Sequence, residues 1–255
     1  MRKVHLQTLF LYDRAMHSQT YIQHIEADGS ALIAAVSAAP SVQVDACPGW
    51  TNRDLAKHMG EVYGFVIAQL RAGNPEERAP SETPAAPAEG DITAWLRERH
   101  EEVLAALRTT SPEAPAWSWT PNKTAAFFHR RMAHETAVHR LDAQQAAGTP
   151  APIDPELATD GVSEMMEVIM QHRPRGPLPV YPAGSLHLHR TDGEGEWMLM
   201  SQDGKLSVTH EHAKGDAAAR GSAHDLLMYL WGRGRDGLEC HGDDALLDAW
   251  GSIAP

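Results

Sequence analysis

The sequence predicts an α+β chain of two domains, a four-helix bundle followed by a small domain that mixes strands and helices. Three observations predict it. Up to about residue 148, long runs place apolar residues three and four apart. Gly148-Thr149-Pro150-Ala151-Pro152 then breaks the pattern. Beyond it, short segments alternate apolar and polar residues between glycine turns. The expected divisions are an N-terminal extension over 1–18, a bundle over 19–148 and an α+β domain over 153–255.

Gln19–Ala38 is the first helix, with Ile22, Ile25, Leu32, Ala35 and Val36 on its apolar stripe; Gly29 weakens it and Ala39-Pro40 ends it. The second helix starts at Thr51, a good N-cap, with Asp54 in the position of a capping-box acid and Trp50 and Leu55 placed as a hydrophobic staple. It runs to about Leu70, and His58 sits one turn in beside the apolar side made by Leu55, Met59 and Val62. Gly73–Gly90, rich in Pro, Ala and Glu, reads as an exposed loop. Asp91–Arg108 is the third helix. Ser111–Pro121 connects it to the fourth, Phe127–Gln145.

That fourth helix carries the chemistry. Phe128, Met132, Glu135 and His139 step by four, three and four and so share one face. An inward carboxylate is costly unless a cation meets it, and a divalent metal would meet Glu135 and His139 together. An intrahelical pair at this spacing is the simpler reading of the two residues alone. His134-Glu135-x-x-x-His139 is not the H-E-x-x-H motif, because a spacing of five turns His134 away from His139. His129 and His134 lie off the stripe, at the surface or against a neighbour. Asp142, one turn on, either accepts the second ring N–H of His139 or is a solvated helix residue. His58 alone reads as a core histidine with a satisfied hydrogen bond. Cys47 suits a small buried site, or a thiol near a metal.

In the second domain Asp154–His172 is expected as a helix. Leu186–His189, Trp197–Met200 and Leu206–His210 are strands, Asp203-Gly204 marking a hairpin turn between the last two. Ala217–Trp231 is a helix, Leu238–His241 a strand and Asp244–Trp250 a last helix. His187, His189, His210 and His212 alternate; a second metal site is one reading of them, and solvent-facing side chains on a half-exposed strand face are the simpler one.

A net charge of -12 argues against nucleic acid as a partner. The apolar stretch Leu9–Tyr12 is cut short by Asp13 and Arg14, too short for a signal peptide or a membrane span. Two distant cysteines, Cys47 and Cys240, fit a reducing cytoplasm.

Three stretches together resemble the mycothiol-dependent maleylpyruvate isomerase family: Cys47-Pro48-Gly49-Trp50-Thr51-x-x-Asp54-Leu55-x-x-His58, Glu135-x-x-x-His139, and Asp225-Leu226-Leu227-x-x-Leu230-Trp231-Gly232-Arg233. The likeness spans roughly Gln19 to Trp250. It implies a DinB-like bundle, a sterol-carrier-like second domain, and a zinc ion on His58, Glu135 and His139 with water completing the shell. It also implies mycothiol as cosubstrate. A thiol on zinc is acidified to a thiolate, which adds to an activated double bond; rotation and elimination then turn cis into trans. Arg233 matches an arginine that the family uses late in the second domain, suited to clamp a substrate carboxylate, with Arg220 and Arg235 as rivals. The expected partners are a small electrophile and a low-molecular-weight thiol, with no nucleic acid or membrane, in a monomer or weak dimer. Thiol transfer is the related chemistry. A zinc-dependent hydrolase and a non-catalytic lipid- or small-molecule-binding protein are the rivals.

Overall fold

The computed structural model describes residues 16–88, 90–172 and 176–253. The expected extension therefore falls almost entirely outside the described residues. The chain divides into two compact units, one ending at Ala151 and the other beginning at Pro152.

Among its described residues the first unit holds four long helices: α1 (Ser18–Ala38), α2 (Asn52–Ala72), α3 (Ile92–Thr109) and α4 (Ala125–Ala146). The start of α2 forms as its sequence dictates. Thr51 accepts from the Asp54 amide while the Asp54 carboxylate accepts from the Thr51 amide, a reciprocal capping box. Asp91 caps α3 by accepting from Thr93 and Ala94. The core is the meeting of the apolar stripes, with Ile25, Leu32, Leu55, Met59, Leu96, Val103 and Phe128 all buried.

Gly29 has a reason that its helix propensity hides. A Cβ there would lie 2.1 Å from Nε2 of His100, whose ring sits against α1 and donates to the Ile25 carbonyl at 2.9 Å. The glycine is the space in which α3 docks. The Gly73–Gly90 segment forms no helix or strand among its described residues and is tied down by side chains. Arg53 donates to the carbonyls of Pro87, Ala88 and Gly90, Gln69 pairs with Ala79, and Trp95 Nε1 donates to Pro84 O at 3.2 Å.

The helix α4 is enclosed on nearly every side. His129 and His134 are buried rather than at the surface, and the His134 ring lies 6.2 Å from that of Tyr21. An amphipathic reading assumes one wet face, and the centre of a bundle has little.

The second unit begins with α5 (Pro155–Glu164), which continues as a π turn over Met165–Ile169 where a single helix to His172 was expected. Its sheet contains β1 (Ser185–Arg190), β2 (Glu196–Gln202), β3 (Lys205–Thr209), β4 (Ala217–Gly221) and β5 (Glu239–Gly242). The spatial order is β3-β2-β1-β4-β5, antiparallel except for the parallel β1–β4 pair. The helices α6 (Ala223–Leu230) and α7 (Asp244–Gly251) complete it.

The expected helix over Ala217–Trp231 is thus two elements. Alanine favours helix locally, but Ala217, Ala218 and Ala219 pair with Leu186, His187 and Leu188 of β1. Ala217 and Ala219 are buried on the core side, so ladder bonds and packing override propensity. Ser222 then caps α6 by accepting from the Asp225 amide. Pairing of Leu186 with Leu199 and of Leu188 with Trp197 puts these apolar residues on one sheet face and His187 and His189 on the other.

Candidate metal centre

Glu135 and His139 rise from consecutive turns of α4, and His58 reaches them from the second turn of α2. His58 Nε2 lies 3.3 Å and His139 Nε2 3.5 Å from Glu135 Oε1. One ligand atom from each residue falls within 4.8 Å of the others, so the three could hold one metal ion. Two metal–ligand bonds of about 2.1 Å at a tetrahedral angle place their outer atoms about 3.4 Å apart, and the two separations from Oε1 are close to that. The donor chemistry fits as well: two imidazoles and a carboxylate are zinc ligands, and three protein donors leave a position open. Buried tyrosine chemistry fixes the two helices relative to each other, since Tyr63 and Thr136 share a hydrogen bond of 2.9 Å between α2 and α4.

Neighbouring groups orient the donors. Asp142 Oδ2 accepts from His139 Nδ1 at 3.1 Å, which leaves the lone pair of Nε2 for the centre. Asp142 is therefore the buried outer partner and not a solvated residue. On the other side Arg131 Nη2 lies 2.6 Å from Glu135 Oε2 and occupies the oxygen that the histidines do not. Burial works against the Glu135 carboxylate, but Arg131, His139 and His58 outweigh it and hold its pKa well below the usual carboxylate range. Burial likewise opposes charge on His139, yet Asp142, Cys47 and Glu135 together hold its pKa well above the usual imidazole range. Both directions favour a Glu135 carboxylate beside a charged His139, and a metal on His139 Nε2 would compete with the proton there.

Both halves of the chain match family descriptions. Residues 22–144 match the mycothiol maleylpyruvate isomerase N-terminal domain, and residues 156–249 match the corresponding C-terminal domain. The chain belongs to the mycothiol-dependent maleylpyruvate isomerase family. No curated protein sequence matches it at a significant level. Two solved structures do resemble it, one of the mycothiol-dependent maleylpyruvate isomerase and one of a histidine-to-alanine mutant of that protein. Each has a TM-score of 0.60 at 15% identity, over 88% of this chain and 93% of the other. At that identity the likeness is one of fold.

Within this maleylpyruvate isomerase relative, two neighbours of the centre were not anticipated in these roles. Arg131 is one; its signal was the i, i+4 spacing to Glu135, which sequence reading spent on His139 instead. Trp50 is another. It was expected to staple onto Leu55, and its ring lies 5.1 Å from that of His58. Of the two sites expected for Cys47, the half-buried thiol takes the one near the centre, with Sγ 4.0 Å from Asp142 Oδ2.

Arg233 belongs to the second unit, where it follows α6. Its Nη1 donates to Trp231 O at 2.6 Å and its guanidinium stands 5.6 Å from the centroid of the Trp231 ring. Arg220 pairs with Glu239 at 3.1 Å and Arg235 with Asp244 at 3.0 Å.

Proposed function

We propose that this chain is a mycothiol-using isomerase acting on the activated double bond of a small carboxylate-bearing electrophile. In this reading His58, Glu135 and His139 hold a divalent ion, zinc by preference. The supporting observation is the convergence of His58 Nε2, His139 Nε2 and Glu135 Oε1 within 4.8 Å in a chain of this family. When bound, such an ion lowers the pKa of a thiol, so that thiolate is present at neutral pH.

The remaining roles fall to protein groups. Asp142 keeps the His139 proton on Nδ1 and so presents Nε2 in its basic form. Arg131 fixes Glu135 by one oxygen and leaves the other directed at the two histidines. The Trp50 ring packs against the half-buried His58 and restricts its motion. Arg233 is proposed to grip the carboxylate of the substrate, a task for which the guanidinium fork is suited. The chemistry itself needs only a thiol that adds to the double bond, rotation about the resulting single bond, and elimination that returns the thiol unchanged. Thiol transfer to an electrophile without the elimination is the neighbouring outcome of the same centre.

The test combines metal analysis with turnover. Glu135→Ala should lose one ion per chain relative to the wild type, and cis-to-trans conversion followed by NMR should require added mycothiol. Full activity without any thiol would replace this reading by hydrolysis through activated water. Unchanged metal content in Glu135→Ala would remove the assigned ligands.

A further inference from the structure

The second unit carries another convergence of metal-binding side chains, built by the sheet register. His187 and His189 are two residues apart on β1 and project from the face opposite Leu186 and Leu188. The antiparallel pairing sets His189 directly across from Glu196, the first residue of β2, with His187 on the diagonal. The segment after β3 brings His212 onto the same carboxylate. His187 Nε2 lies 2.5 Å from Glu196 Oε2, while His189 Nδ1 and His212 Nδ1 lie 2.5 Å and 3.0 Å from Oε1. The His187 and His212 rings are 5.2 Å apart.

Alternating histidines that merely face water would have no reason to gather. Here three imidazoles, two from β1 and one from the segment after β3, meet on a single carboxylate of β2, and His187 is only 6% exposed. A neutral imidazole offers one N–H and one lone pair. Three rings share a single acceptor group, and a cation is the group that would use their lone pairs together.

We propose that His187, Glu196 and His212 form a second binding site for a divalent transition-metal ion, with His189 orienting the carboxylate. One ligand atom from each of the three lies within 4.8 Å of the others. Two nitrogens and a carboxylate oxygen suit Zn²⁺ or Ni²⁺ and not the all-oxygen preference of Ca²⁺ or Mg²⁺. Loading exchanges the N–H···O contacts for metal bonds: His187 and His212 each carry their proton on the other ring nitrogen, and the cluster opens slightly. The ion would tie β1, β2 and the chain leaving β3 into one unit, so its effect is on the stability of this sheet. The inference does not depend on the Glu135 centre, which lies in the other unit.

The experiment uses the full chain with Glu135→Ala, stripped by chelator and titrated with Ni²⁺ or Zn²⁺ alone. One ion per chain should bind and raise Tm. Adding His212→Ala, an exposed side chain, or the near-isosteric Glu196→Gln should abolish that binding and the Tm rise while leaving the metal-free Tm nearly unchanged. If the Glu135→Ala chain binds no ion, or if binding survives both added substitutions, the site does not exist.

Discussion

Arg131 Nη2 lies 2.6 Å from Glu135 Oε2, one helical turn along α4, and this pair decides which carboxylate oxygen is left for His58 and His139. Both side chains are largely buried, so each supplies part of the other's solvation. Removing one partner of such a pair leaves an uncompensated charge, at a cost of about 3–5 kcal/mol. Arg131→Met in metal-free protein should lose stability on that scale in urea unfolding. Arg131→Met combined with Glu135→Gln should recover much of it. Simple additivity of the two single effects would show that the pair is not coupled.

Asp142 should tune the centre without building the fold. Asp142→Asn keeps the shape but turns an acceptor of the His139 N–H into a group that can present a donor. Loss of an outer partner of this kind lowers metal affinity by about 10–100-fold. Competition with a chromophoric chelator reads this directly, and equal affinity would mean that His139 needs no such partner.

Gly29→Ala should destabilise the protein although alanine is the better helix former. The gain in propensity is about 1 kcal/mol. The new Cβ would stand 2.1 Å from the His100 ring, and overpacking of a filled core costs about 1–3 kcal/mol. The urea midpoint should therefore fall. A rise would mean that α3 can retreat from α1 freely.

His100 should make stability sensitive to mild acid. Burial lowers its pKa in the folded protein below the ordinary 6.5. Unfolded chains then bind more protons than folded ones as pH drops through that value, and stability is lost on acidification. His139 contributes with the opposite sign, because its folded pKa is raised. The comparison that isolates His100 is the loss of Tm between pH 7.5 and 5.5 in wild type against His100→Gln. The variant should lose less over this interval (roughly one unit either side of the reference imidazole value).

Arg233→Ala should weaken substrate capture. A charge-assisted hydrogen bond contributes about 1.5–3 kcal/mol, which is roughly a 10- to 150-fold rise in KM for a carboxylate substrate. Arg233→Lys should recover only part of it, since an ammonium lacks the two-pronged fork. Normal KM in both variants would return the role to Arg220 or Arg235.

Much of the bundle was legible in the chain itself. Apolar spacing located all four helices to within a few residues, and Thr51 with Asp54 announced the start of α2, because caps and stripes are written in neighbouring residues. The i, i+4 relation of Glu135 and His139 was equally local, and so was the Asp142 carboxylate one turn further on. Family resemblance supplied His58, whose inward position periodicity could place but whose partners it could not name.

Tertiary structure decided what depends on residues distant in sequence. Only the bundle brings His58 across to Glu135, 77 positions away, and only its enclosure buries His129 and His134. Only pairing with β1 on one side and β5 on the other makes Ala217–Gly221 a strand, against the preference of its alanines. The gathering of His187, His189 and His212 on Glu196 likewise needs the strand register and a returning loop. Periodicity records which face of an element is apolar. It carries no record of which other element that face will meet, because that choice is made by packing and pairing energies summed over the whole chain.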